Sequence, residues 1–199
     1  NAMSPAAANE ANLLEFFRRF ARVRPTGRIV ELDGVTIASS GIPFHMFNAA
    51  FFSSPVMEVE EDLGRRLKLA WEVLGAQGGR WAFWACADRM AGDFQGRTAR
   101  MFRRFGLAPV LRHPALYCDA MTAASADPPP LEYRTVEERA ARTDFSRINS
   151  HAFRIPFAWC QELYDIDALW GRDFTGYVGY AGGRAVCCAA RALRRSTHR

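Results

Sequence analysis

Residues 44–55 read FHMFNAAFFSSP, an apolar stretch with almost no polar break, and Pro55 ends it. Residues 58–77, EVEEDLGRRLKLAWEVLGAQ, place acids before bases and repeat apolar residues at helical spacing. Residues 80–87, RWAFWACA, would place apolar side chains on both faces of a strand. Strands buried on both faces and joined by a helix form a parallel β-α-β unit. The sequence therefore predicts an α/β protein built around this unit.

The flanking segments extend the same half of the chain. Residues 11–23 place four large apolar residues at helical spacing, which predicts an amphipathic helix. Asp33-Gly34 lies between two short apolar runs, a pattern typical of a β-hairpin. A second helix is predicted at about 94–105, ending at Gly106, and residues 108–121 are predicted to form two strands hinged near His113-Pro114.

A change of composition separates the second half. Residues 123–130 are rich in Ala and Pro and predict a stiff linker. We expect a strand at 131–135, helices at about 136–152 and 159–169, and a closing hairpin around Gly182-Gly183. The predicted organisation is thus a domain at 10–122, the linker at 123–130 and a partial domain at 131–190. A basic tail at 191–199 has no apolar pattern and does not resemble native sequence of the domain.

Charge and cysteine usage limit the possible functions. The net charge is +5, and without the four arginines of the tail 22 bases face 21 acids. The arginines of residues 97–104 could contact phosphates, but a solvated helix face explains them as well, so we expect no nucleic-acid partner. No apolar run is long enough for a membrane span. The five cysteines lack metal-ligand spacing and suit structural thiols in the cytoplasm.

The order of predicted elements resembles a known superfamily. MFRRFGLAPVLRHPALYCDAM, residues 101–121, follows a strand-helix-strand unit as in the second half of the GNAT N-acetyltransferase fold. LEYRTVEERAARTDFSRINSHAFRIP, residues 131–156, followed by the closing hairpin, resembles the first half of another GNAT domain. The resemblance covers most of residues 10–190 and is closest to bacterial two-domain GNAT proteins with a degenerate N-terminal copy. It implies a mixed central sheet flanked by helices.

The resemblance also implies where acetyl-CoA would bind. GNAT enzymes hold the coenzyme pyrophosphate with Gln/Arg-x-x-Gly-x-Gly/Ala at a helix N-terminus, where backbone N–H groups meet the phosphates. The corresponding residues 59–64 are VEEDLG, in which only Gly64 matches and three acids stand where the phosphates would lie. The usual general acid, a Tyr, is replaced by Phe102, which has no proton to give. We expect these residues to form an ordinary helix N-terminus and this half to be inactive.

The candidate site residues follow from the same resemblance. Ala50, Phe51 and Phe52 correspond to the strand that binds the pantetheine arm, and Gly64 is the vestige of the phosphate loop. The acceptor wall would comprise Phe153, Trp159 and Tyr164, although their helical spacing favours core aromatics over a substrate wall. No catalytic residue can be named; Asp88, after the central strand, could serve as a base or simply form a turn. No metal ligand is expected.

These observations lead to two functional hypotheses. The first is an acetyl-CoA-dependent N-acetyltransferase acting on a primary amine, whose C-terminal copy is cut near Ala190, so that this chain is inactive. The second is a non-catalytic GNAT-like module that binds a small ligand or a partner. In either case, the open edge of the last hairpin predicts pairing with the sheet of the first half or with a second copy of the chain, as a homodimer.

Overall fold

A computed structural model describes residues 4–75, 80–90, 96–116, 118, 120 and 130–193 of the chain. The chain divides into two compact units, Asn1–Tyr117 and Cys118–Arg199. Each unit has a sheet of its own, and the described residues contain five α-helices in all. The protein is therefore of the mixed α/β class, as the sequence predicts.

The N-terminal unit alternates helices and strands around one four-stranded sheet. Its elements are α1 (Pro5–Arg22), β1 (Arg28–Leu32), β2 (Val35–Ser39), β3 (Asn48–Phe52), α2 (Gly64–Leu74), β4 (Ala82–Trp84) and α3 (Arg97–Arg104). The strands lie in the order β1-β2-β3-β4. The first two pairings are antiparallel and β3 pairs with β4 in parallel, which confirms the predicted β-α-β unit.

Both faces of this sheet are covered by helices. On one face, α1 packs Leu14 and Phe17 against Phe51. On the other face, α2 packs Ala70 and Leu74 on Ile37. The strand residues alternate between these two layers, and this is why β3 is apolar at every position after Asn48.

Three local predictions differ from the structure. His45–Phe47 form a 3₁₀ turn, so β3 is shorter than the apolar stretch that contains it. Val59–Leu63 form one π-helical turn instead of an ordinary helix start. Residues 107–116 carry no strand, which contradicts the first part of the two strands predicted at 108–121. Prolines 109 and 114 each lack the N–H that a sheet ladder requires, which explains this result.

The C-terminal unit is a three-stranded antiparallel sheet. Its elements are β5 (Glu132–Thr135), α4 (Arg139–Phe153), α5 (Phe157–Tyr164), β6 (Phe174–Ala181) and β7 (Arg184–Ala192). The strands lie in the order β5-β6-β7. Gly182 and Gly183 both have positive φ, as a tight two-residue hairpin turn requires, so the closing hairpin is confirmed.

Two predicted segments lie mostly outside the residues that the structure describes. Apart from Pro130, the linker at 123–130 lies outside the described residues, as does the tail after Leu193. Among the helices that are described, none is long and apolar enough to cross a bilayer.

Candidate functional site

The segment after β3 is where the resemblance places the coenzyme phosphates. β3 and β4 pair only as far as Phe51 and Trp84, and a single parallel bridge joins Val56 to Met90 further on. Residues 53–63 therefore leave the sheet at the carboxyl end of two parallel strands. Ligands of α/β folds gather at such an edge.

This loop is closed by the buried side chain of Arg66, in the first turn of α2. Its Nε donates to Asp62 Oδ1 at 2.7 Å, and Nη2 donates to Asp62 Oδ2 at 2.8 Å. The other three N–H groups donate to the carbonyl oxygens of Gly34, Ser54 and Pro55 at 3.2, 2.7 and 2.9 Å. All five donors of the guanidinium thus have acceptors within the protein, and none remains for a phosphate.

Asp62 is the internal anion of this cluster. Besides Arg66, it accepts a hydrogen bond from the Met57 N–H at 3.2 Å and one from Arg65 at 3.0 Å. Burial opposes ionisation of Asp62, but the bonds from Arg66, Met57 and Arg65 outweigh it and hold its pKa below 3.8. The carboxylate is therefore ionised at neutral pH and lies in the segment where the resemblance places the coenzyme phosphates.

Gly34 is required by this arrangement. Its φ is +80°, and a Cβ added there would lie 2.7 Å from the Arg66 guanidinium. By contrast, a Cβ at Gly64 would meet only Met101, at 3.6 Å, which is ordinary contact. The close approach of the Arg66 guanidinium thus explains why position 34 is glycine, whereas no close contact requires glycine at position 64.

The other predicted coenzyme residues belong to the core. Ala50, Phe51 and Phe52 are all buried, and at Ala50 and Phe51 the backbone pairs with a strand on each side. Phe102 packs edge-on against Phe83 with ring centroids 5.6 Å apart. This half of the site is filled by the side chains and backbone of the protein itself.

A second polar cluster lies on the α1 side of the same edge. Glu10 of α1 has a side chain only 9% exposed, and its Oε2 lies 2.8 Å from Arg89 Nε. The two side chains form an ion pair, and Arg89 Nε and Glu10 Oε1 have no hydrogen-bond partner among the described residues. The indole N–H of Trp84 is buried and equally unpartnered. Unsatisfied buried groups of this kind are rare in folded proteins.

Glu10 is the titratable group that stands out here. Burial raises the pKa of its carboxyl, and the nearby Arg89 only partly offsets this effect. Asp88, the predicted candidate base, lies in the 3₁₀ turn Ala87–Arg89 and is exposed. The structure thus offers the largely buried carboxyl of Glu10, whose pKa is raised, as a titratable group of this unit.

The predicted acceptor wall in the C-terminal unit is dispersed. Tyr164 is buried and packs edge-on against Phe145, with centroids 5.0 Å apart. Its carbonyl accepts the indole N–H of Trp170 at 2.8 Å. Phe153 is 48% exposed at the end of α4, and Trp159 is half-buried in α5. Tyr164 is therefore a core residue of this unit.

The C-terminal unit also has a buried arginine. Arg142 donates to the carbonyl oxygens of Val136, Glu137 and Asp165 and pairs with Asp167. Beside it lies a cavity of about 220 Å³, which Thr135, Val136, Glu137, Gly171, Arg172, Thr175 and Gly176 line. Ligand sites usually enclose about 300–1,000 Å³, so this cavity is too small for a coenzyme.

Two ion pairs, Asp62–Arg66 and Glu10–Arg89, were not predicted from the sequence. The first had a signal: Asp62 and Arg66 are four residues apart, and Arg66 falls on the apolar stripe of α2. The second ion pair joins residues that are 79 positions apart, and no local sequence pattern indicates it. No group of three or more His, Cys, Asp or Glu side chains in the described ranges could hold a metal ion.

Comparison with known proteins adds no relative. No protein-family model matches the chain, and neither the curated proteins nor the solved structures include a match. The functional inference therefore rests on the residues and geometry described above.

Proposed function

We propose that the protein is a GNAT-type N-acetyltransferase in which the N-terminal unit is a non-catalytic copy. The acyl donor would be acetyl-CoA and the acceptor a primary amine. The five free cysteines suit a reducing compartment, so we infer a cytoplasmic protein.

The topology of both units supports the proposal. In the N-terminal unit, β3, α2, β4 and α3 follow the strand-helix-strand-helix order that the resemblance implies for the second half of a GNAT domain, while the strand that it implies next is not formed by residues 107–116. Strand, two helices and an antiparallel hairpin are the order implied for the first half. Fold-level likeness alone never fixes a function, so the site must carry the argument.

The single observation that carries the non-catalytic assignment of the N-terminal unit is Arg66, whose five donors all have acceptors within the protein. An acetyltransferase needs backbone N–H groups or a free cation for the coenzyme phosphates. In the N-terminal unit, Asp62 already takes two of the Arg66 bonds and the Met57 N–H. A second anion at this place would meet an ionised carboxylate, and like charges at a shared site repel strongly.

Calorimetric titration with acetyl-CoA tests this proposal. Wild-type protein is compared with the Arg66→Lys variant, which keeps the charge but loses the forked geometry. We expect any heat of binding to be the same for both proteins, because the coenzyme does not contact Arg66. Binding that is saturable in the wild type and lost in Arg66→Lys would show that the N-terminal unit is the coenzyme site, contrary to the proposal.

A second candidate function is favoured by the buried polar atoms of the N-terminal unit that have no hydrogen-bond partner. Glu10 Oε1, beside the ion pair with Arg89, would need a donor from a small polar ligand, and the Trp84 indole N–H would need an acceptor. In that case the N-terminal unit is a ligand-binding module without catalysis. Micromolar binding of acetyl-CoA to the chain would exclude this second function, and no binding at millimolar acetyl-CoA would exclude catalysis by the chain.

A further inference from the structure

β7 is an edge strand whose outer side has no strand partner within the described residues. Seven of its nine residues are Ala, Cys or Val, and charge appears only at Arg184 and Arg191. The opposite edge of this sheet, β5, carries the Glu132–Arg134 ion pair. Natural edge strands are usually protected by charge. Because β7 has less of this protection than β5, it is the edge of this sheet that can recruit a partner.

The hydrogen bonds of β7 show which of its backbone groups face outward. Leu193 N–H donates to the Asp173 carbonyl at 2.8 Å, and Thr175 lies opposite Arg191 in the register. Hydrogen-bonded pairs alternate along an antiparallel ladder, so Arg191, Ala189 and Cys187 turn their N–H and C=O groups toward β6. The residues between them turn these groups away from β6.

Cys188, Ala190 and Ala192 therefore carry the outward N–H and C=O groups of β7. All three of their side chains are small, and Ala190 is exposed. An approaching strand can reach these backbone groups without displacing a bulky side chain.

From this geometry we infer that β7 pairs with β7 of a second copy of the chain, antiparallel and centred on Ala190. Only this centre pairs all three outward residues at once: Ala190 with itself, and Cys188 with Ala192 in both directions. Each pair exchanges two bonds, which gives six hydrogen bonds about one twofold axis. The partner is thus a second copy because the outward groups of this strand are complementary to themselves.

The side chains agree with this register. Arg191 lies opposite Ala189 of the other copy, so the two Arg191 residues are offset along the strands by two positions, about 7 Å. Like charges directly opposite each other would be destabilising. Cys187 lies opposite Leu193, at a pair without hydrogen bonds, where side chains approach most closely.

This inference makes the predicted homodimer specific and does not depend on acetyl transfer. Strand pairing alone buries less surface than a standard interface, about 1,600 Å², so the dimer belongs to the weak class. The acetyl-CoA titration probes Arg66 and the dimer experiments probe Ala190, so either proposal can fail without the other.

The first test is sedimentation velocity from micromolar to millimolar protein. We expect a concentration-dependent dimer in the wild type and in Ala190→Ser, which keeps the N–H group. Ala190→Pro removes an outward N–H group that β6 does not use, so the hairpin is retained and the dimer is lost. A monomer at all concentrations, or a dimer unaffected by Ala190→Pro, overturns the inference.

Two further measurements test the inference even if the Ala190→Pro variant does not fold. Hydrogen exchange by NMR should show protection of the Cys188, Ala190 and Ala192 amides that grows with concentration, while the Ala189 amide is protected throughout. Leu193→Cys, with Cys86 and Cys118 replaced by Ser, should form an intermolecular disulfide with Cys187 under mild oxidation. Equal cross-linking by the control Arg184→Cys, or no link from a dimeric Leu193→Cys, contradicts the register.

Discussion

Neutralising Asp62 is the sharpest perturbation of the N-terminal unit. Asp62→Asn keeps the size of the side chain but replaces one oxygen that accepts from Arg66 by an amide that cannot accept. The Arg66 side chain is 5% exposed, so its charge would be left in the interior without a counter-ion. The variant therefore reports how far the fold depends on the internal anion.

The size of the effect follows from burial. Breaking a buried ion pair by removing one partner costs about 3–5 kcal/mol. The Asp62 side chain is 20% exposed, so water can approach the vacated position and the cost falls at the lower end. We expect a loss of about 3 kcal/mol in the free energy of unfolding, which is roughly a 150-fold change in the equilibrium constant.

Native-state hydrogen exchange is the suitable assay. The chain has two compact units, so a single unfolding curve would mix their stabilities, whereas amides of β2 and β3 report the N-terminal unit alone. Glu60→Gln is the matched control, because Glu60 is an exposed acid in the same turn. If Asp62→Asn and Glu60→Gln agree within about 0.5 kcal/mol, Arg66 does not depend on Asp62 and the reasoning is refuted.

Three further perturbations have defined outcomes. Gly34→Ala should cost at least about 1–2 kcal/mol, because the left-handed backbone is strained and the Cβ meets Arg66 at 2.7 Å; unchanged exchange in β2 would contradict this. Because the pKa of Glu10 is raised, its contribution to stability is present below pH 4.5 and lost as pH rises through the folded-state pKa; Glu10→Gln should abolish that pH dependence, measured by hydrogen exchange of the β2 and β3 amides. Burial raises the pKa of Cys188 to about 11, so an aromatic disulfide reagent should modify the exposed Cys187 first, and mass spectrometry finding the reverse order would contradict this.

The sequence predicted the elements whose signals are local. The continuous apolar run in 80–87 and the glycines at the hairpin turns report backbone geometry directly, and the structure confirms the β-α-β unit and both hairpins. The strand predicted from residue 108 is not formed, because Pro109 and Pro114 lack the N–H groups that a sheet ladder requires, and two such residues interrupt this short segment. Apolar content predicts burial only where a backbone can also pair.

The site was harder to predict because its contacts are long-range. VEEDLG indicated that phosphates would be repelled, but not that Asp62 would satisfy an arginine that also binds three carbonyls from two other loops. A charged residue on the apolar stripe of α2 was the overlooked signal, since a buried arginine must find acceptors. The pair of Glu10 and Arg89 depends on the packing of α1 against the turn after β4, which no periodicity encodes.

The most direct test of the central claim is an NMR titration of the ¹⁵N-labelled chain with coenzyme A. The claim is that Asp62 and Arg66 fill the loop where the coenzyme phosphates would lie. We predict that the amide signals of residues 53–66 stay unchanged up to millimolar coenzyme A. Saturable shifts of the Met57 and Gly64 amides at micromolar coenzyme A would contradict the claim.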